Sequence, residues 1–136
     1  NFKKIFLDDH IMSRFVSLDK KELADIRSYL NANKADEVLL DAEKIEDLVV
    51  YGAGTIASEI INKTNFFKKI KNFDLVDSDN SKIGNFLSNK KIQSPEILKE
   101  DNRQIYIATA QGYDEVFKNI LSIKGNTNKI ITGLIL

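Results

Sequence analysis

Residues 48–61 read LVVYGAGTIASEII, and no other stretch of the chain restricts its fold as much. A β-branched apolar run enters Gly52-Ala53-Gly54. A helix-compatible segment leaves it, with Ala57 where a third glycine often stands. This G-x-G-x-x-A spacing belongs to a strand, a tight turn and a helix that together hold a dinucleotide or a nucleoside diphosphate. Gly52 lets the chain turn sharply out of the strand. Gly54 leaves room for a pyrophosphate against the backbone, and Ala57 lets helix and strand pack closely. Free N–H groups at the start of the helix, near Thr55 and Ile56, then face the anion, and the helix dipole adds to the attraction. The competing reading is that the same small residues serve close packing alone, around an empty site.

From Leu48 onward, strand-like and helical patterns alternate. Apolar runs at 48–51, 73–76, 104–109 and 129–135 read as strands. Segments 55–63, 95–99 and 113–123 read as helices, and Lys91-Ile92 as a short extra strand. The single proline, Pro95, suits the first turn of a helix capped by Ser94. Alternation of this kind predicts a three-layer α/β domain with a parallel sheet and right-handed crossovers. The strands are too apolar for a sheet with one face in water.

Residues 1–47 follow a different pattern, without glycine or proline. They predict a helical extension or linker, with 48–136 as the binding domain. Phe2, Ile5, Phe6, Met12, Phe15 and Val16 fall near one helix face. Asp19-Lys20-Lys21-Glu22 resembles a capping box ahead of Leu23, Ile26 and Leu30. Asn31-Ala32-Asn33 reads as a stop. A further segment, 36–47, carries Val38, Leu39, Ala42 and Ile45 as its stripe, although Val38-Leu39-Leu40 also fits a short strand.

Two further elements converge on the glycine turn. A dinucleotide fold places an acidic side chain at the end of its second strand, about 20 residues beyond the turn, to accept hydrogen bonds from a ribose hydroxyl. Asp77 occupies that place in FDLVDSDN, followed by Ser78. An aspartate there favours an unphosphorylated ribose. The bland alternative is a polar turn, in which Asp, Ser and Asn are common. Asp77, Asp79 and Ser81 also have the alternate spacing of a calcium loop. Lys82 at the glycine position and Ser88 at the final glutamate position exclude it. The second element is Thr109-Ala110-Gln111-Gly112-Tyr113, which follows the third long strand. In the expected strand order it faces the glycine turn, where Ala110, Gln111 and Gly112 leave room for a ribose or base. Tyr113 either stacks on a ring or starts a helix.

Several chemistries are absent. The chain has no cysteine, which excludes disulfides, a thiol nucleophile and cysteine-ligated metal. None of the four tyrosines is followed four residues later by lysine, so a Tyr-x-x-x-Lys catalytic pair is missing. The P-loop lysine-serine ending is also missing. The one histidine, His10, reads as solvated or packed, and no cluster of metal ligands is seen. Twenty basic and twenty acidic residues cancel, which argues against a nucleic-acid binder. No apolar run approaches the roughly 18–20 residues that span a bilayer, and no secretory signal opens the chain. The expected location is the cytoplasm. The start at Asn1 and the apolar end, ITGLIL, read as a piece of a longer protein.

The words VVYGAGTIA, FDLVDSDNSKIGNFLSNKKIQSPEIL and QIYIATAQGYDEVFKNI stand in a telling order. Glycine turn, D-x-D-x-x-K-x-G turn, S-P-E-x-L, then apolar strand and helix resemble a Rossmann-like domain of bacterial sugar-nucleotide and surface-polysaccharide proteins. The likeness covers somewhat over half the chain. It extends to N-terminal domains of sugar acyltransferases, to cofactor domains of nucleotide-sugar dehydratases and to domains attached to sugar methyltransferases. It implies NAD(P) in the dehydratase case and a UDP-sugar in the acyltransferase case, with Gly52, Gly54 and Asp77 at matching positions. The β-helix repeats of the acyltransferases and the catalytic half of the dehydratases are absent, and residues 1–47 match neither. The expectation is a nucleotide- or dinucleotide-binding module of a bacterial glycan-biosynthesis protein without a complete active site. Two alternatives stand beside it. One is a non-catalytic assembly domain that oligomerises or docks a partner through its N-terminal helices. The other is a small oxidoreductase whose substrate site forms at an interface.

Overall fold

The computed structural model describes residues 19–41 and 45–133. His10, the first helical stripe, Ala42 and the end of the last expected strand lie outside the described residues.

Helix α1 (Lys20–Asp41) opens the described chain. Asp19 caps it as the sequence predicts, its Oδ1 accepting the N–H of Glu22 at 2.8 Å. The helix does not stop at Asn31-Ala32-Asn33. Asparagine is only modestly worse than alanine inside a helix. Asn31 and Ala32 are buried, and packing outweighs so small a preference. α1 also fixes the elements beside it. The carboxylate of Asp36 accepts the N–H groups of Asn65 and Phe66 at 2.9 and 2.8 Å.

Strand β1 (Asp47–Tyr51) leads through the glycine turn into α2 (Thr55–Lys63). A short helix follows, α3 (Asn65–Lys69), with Thr64 as its cap. It was not expected from the sequence, because five residues are too few to show a period. Then come β2 (Asn72–Val76), β3 (Phe86–Leu87), β4 (Lys90–Gln93), a 3-10 turn at Pro95–Lys99 capped by Ser94, β5 (Ile105–Ile107), α4 (Tyr113–Lys124) and β6 (Ile130–Ile131).

The sheet order is β3-β4-β2-β1-β5-β6. Every pairing is parallel except the edge hairpin of β3 with β4. That hairpin turns through Ser88 and Asn89, both at positive φ, so Lys91-Ile92 is half of a two-stranded edge. β1 lies at the centre, with β2 on one side and β5 on the other. The chain therefore reverses its direction of sheet growth between β1 and β5.

Alternation along β1 sends its side chains into two cores. Leu48 and Val50 meet Ala35 and Leu39 of α1, Ala57, Ile60 and Ile61 of α2, and the Phe66 and Phe67 pair of α3. Val49 and Tyr51 face Leu98 and Ile120 on the opposite side. These are the three layers. Ala57, fully buried, is the close helix–strand contact that its size predicts.

Candidate functional site

The glycine turn sits at the carboxyl end of β1, wedged between the ends of β2 and β5. Gly52 donates to the Val76 carbonyl at 2.8 Å, and Ala108 donates to the Tyr51 carbonyl at 2.8 Å. The φ of Gly52 is +114°, a conformation L side chains rarely adopt. A Cβ there would lie 3.1 Å from Thr109 Cβ and 3.2 Å from the Ala108 carbonyl carbon. The fold itself demands glycine at 52. Gly54 differs. Its backbone is extended, at φ −111°, and it is the N-cap of α2 without a side-chain hydrogen bond. A Cβ at Gly54 would meet only Lys82 Nζ, at 3.7 Å. Nothing else near Gly54 requires glycine, so its small size keeps open the space above the start of α2.

Asp77 follows β2 directly and spans the two turns. Its Oδ2 accepts the Ala53 N–H at 2.8 Å, and its Oδ1 accepts the Asp79 N–H at 2.8 Å. Each carboxylate oxygen keeps a second acceptor position. Lys82 Nζ stands 4.0 Å from Oδ2. Asp79 is held well ionised: the Ser81 hydroxyl and N–H bond its carboxylate and lower its pKa. The DSDN stretch is thus a locally bonded turn, as its composition suggests, and it also carries the one carboxylate that touches the glycine turn.

Two neighbouring hollows with shared lining residues open at this end of the sheet. A groove of about 350 Å³ is lined by Ala53, Gly54, Thr55, Ile56 and Ala110, and by Asp77, Lys82 and Gln111. A larger cleft of about 980 Å³ is lined by Gly52, Ser78 and Gly112, by Tyr51, Ser94, Glu96, Glu115 and Asn119, and again by Asp77, Lys82 and Gln111. All ten residues singled out from the sequence line one hollow or the other. Thr109 Oγ1 holds the Gln111 carbonyl at 2.7 Å, and Gly112, in the left-handed region, caps α4. Tyr113 is the first residue of α4.

Two participants, Tyr51 and Asn119, had no sequence signal. Tyr51, 1% exposed, places its hydroxyl between Ser78 Oγ, at 2.5 Å, and Asn119 Nδ2, at 2.6 Å. That link joins β1, the turn after β2 and α4 across 68 residues. Lys82 does have a signal, its fixed distance from Asp77 in D-x-D-x-x-K, but the spacing names no role. Among the described residues, no group of three or more His, Asp or Glu could hold a metal ion. No described helix is long and apolar enough to cross a membrane.

No family model and no curated protein matches the chain. Among solved structures, one described as RSP in complex with beta-NADH matches with a TM-score of 0.50 and 14% identity. The match covers 93% of this chain and 66% of that one. The fold is Rossmann-like. The switch between β1 and β5, the glycine turn and the strand-end carboxylate lie where such folds bind ligands.

Proposed function

We propose that the carboxyl end of the sheet binds a dinucleotide of the NAD class. Its pyrophosphate lies over Gly54 and the start of α2, its adenosine lies in the larger cleft, and Asp77 accepts from a ribose hydroxyl. The observation that carries this reading is the contrast between the two glycines. Gly52 is required by the backbone, whereas Gly54 keeps clear a space that the protein leaves unfilled, against the uncapped N–H groups of α2. The NADH held by RSP on a like fold supports the ligand class.

Glu115 and the Asn119 amide oxygen are acceptors in the lining of the larger cleft, and they suit the exocyclic amine of adenine. An aspartate at this strand end favours NADH over NADPH, whose 2′-phosphate meets like charge. The order of motifs supports a place in bacterial glycan biosynthesis, as a binding module of a larger protein.

Titration calorimetry with NADH, NADPH and a UDP-sugar tests the reading, alongside the Gly54→Val variant. The expected result is saturable NADH binding, weaker binding of the other two, and loss of NADH binding in a folded Gly54→Val protein. Tighter binding of the UDP-sugar, or undiminished NADH binding by the variant, overturns it.

A further inference from the structure

Lys82 is the cation shared by both hollows. Its backbone is fixed by the turn after Asp77, with the Lys82 N–H donating to the Asp79 carbonyl at 2.9 Å. That brings its ammonium to 3.7 Å from the Cβ position of Gly54 and 4.0 Å from Asp77 Oδ2. On the side facing α2 this place is unfavourable for a positive charge. The N-terminal end of α2 carries the positive end of the helix dipole, and no acidic residue lies in its first turn. α4, by contrast, begins with Asp114 and Glu115. Among the described residues Asp77 is the one ion-pair partner of Lys82, at the outer limit for such a pair, and Asp79 adds only a weaker attraction. Both oxygens of Asp77 already receive backbone N–H groups. The lysine side chain is 41% exposed, so the pair is weak and the ammonium is free to turn. The other described lysines with carboxylate partners, Lys34 and Lys99, pair with Glu37 and Glu96 three residues away, Lys99 across one turn at the rim of the larger cleft.

We propose that Lys82 is a specificity-determining residue that selects ligands carrying a diphosphate, by moving its ammonium from Asp77 onto the phosphate oxygens above Gly54. The proposal rests on the binding reading above and names the group of the ligand from which affinity comes. An ammonium on a phosphate is a charge-assisted contact, made here at a mouth partly open to water. Its loss costs about tenfold in affinity. The contact moves with the phosphates and not with the base or ribose. It is screened by salt as an exposed pair is.

The test is a titration series of adenosine, AMP, ADP and NADH against the wild-type chain, Lys82→Met and Lys82→Arg, at low and high sodium chloride. Thermal unfolding confirms that each variant is folded. In the wild type, affinity is expected to climb from adenosine to ADP. Lys82→Met flattens that climb by about tenfold, leaves adenosine unchanged and loses most of the salt dependence, and Lys82→Arg restores all three. Wild-type binding of NADH with an unchanged profile in Lys82→Met overturns the role of Lys82 alone. Equal losses for adenosine and ADP also overturn it, because a lysine that merely shapes the site acts on both. Failure of the wild type to bind NADH at all removes the binding reading together with this one.

Discussion

The two ends of the same three strands are built on opposite principles. At the amino end of β1, β2 and β5, Arg103 ties three segments together. Its Nη1 donates to Asp47 Oδ1, and its Nη2 donates to Asp74 Oδ2 and Asp101 Oδ2, each at 2.6 Å. Gln93 takes the other oxygen of Asp74, and Lys124 donates to the Leu98 and Asp101 carbonyls. The Arg103 hydrogen bonds hold Asp101 below the usual carboxylate range, and the same bonds raise the guanidinium further above neutrality. The charges at this end meet each other. At the carboxyl end, a helix starts without a side-chain cap, a lysine has one distant partner, and about 980 Å³ of cleft is left between loops. A sheet sealed at one end and left open at the other spends its polar groups on stability at the first and keeps them for a ligand at the second.

Substitutions at the two ends should therefore separate folding from binding, except where the backbone of the open end is itself at stake. Gly52→Val is the exception and the largest effect. It forces a branched side chain into positive φ and against Ala108 and Thr109. Urea unfolding is expected to report a loss of about 3 kcal/mol or more. A loss below about 1 kcal/mol would mean that the turn is not held as described.

Arg103→Met comes next. It leaves the Asp47, Asp74 and Asp101 carboxylates gathered without their cation. At partial exposure this costs about 2 kcal/mol, with NADH affinity unchanged within twofold. The same cluster sets a pH response. Asp101 has a folded pKa below its ordinary 3.8. Its stabilisation is full above that value and is lost as pH falls through the lowered one. Unfolding measured between roughly pH 5 and pH 2 should steepen below about pH 4 in the wild type. In Arg103→Met the Asp101 contribution to this fall should shrink, because the side-chain hydrogen bonds that dominate it are gone and only the residue-103 N–H and Lys124 remain. An identical acid profile in both proteins breaks the contrast between the ends.

How much of this was legible in the sequence follows the same division. The glycine turn, the strand-end Asp77, the Ser94-Pro95 cap and the Asp19 cap are local patterns. Each is dictated by backbone needs within a few residues, and each stands where the pattern placed it. Arg103 is different. Its bond to Asp101 is local, but Asp47 and Asp74 lie 56 and 29 residues away and meet it only through the parallel register. The Tyr51 link to Asn119 was hidden in the same way. α1 was read as two helices because local propensity suggested a stop at Asn31, which burial against α2 and α3 overrode. The 104–109 run proved shorter as a paired strand, because only Ile105–Ile107 find partners on β1, and from the 129–135 run Ile130 and Ile131 pair with β5.

Two smaller effects sharpen the comparison. Asp77→Ala leaves the N–H groups of Ala53 and Asp79 without their acceptor, costing about 1 kcal/mol of stability. NADH affinity should fall by more than tenfold, since the ribose contact goes with it. Gly54→Ala is expected to change stability by no more than about 0.5 kcal/mol, because an extended backbone accepts a methyl group. It should still weaken NADH binding, because the methyl group enters the space above α2. Equal effects on stability and binding at Gly54 would place it with Gly52, as a residue the fold requires.

The most direct test of the central claim is a residue-resolved one. NADH titrated into isotope-labelled protein should shift the backbone amide resonances of Ala53, Gly54, Thr55, Ile56, Asp77 and Gln111 saturably. Those of Asp47, Asp74 and Arg103 at the sealed end should stay in place. Shifts centred on the Arg103 end, or none at either end at millimolar NADH, would contradict the assignment of the open end as the binding site.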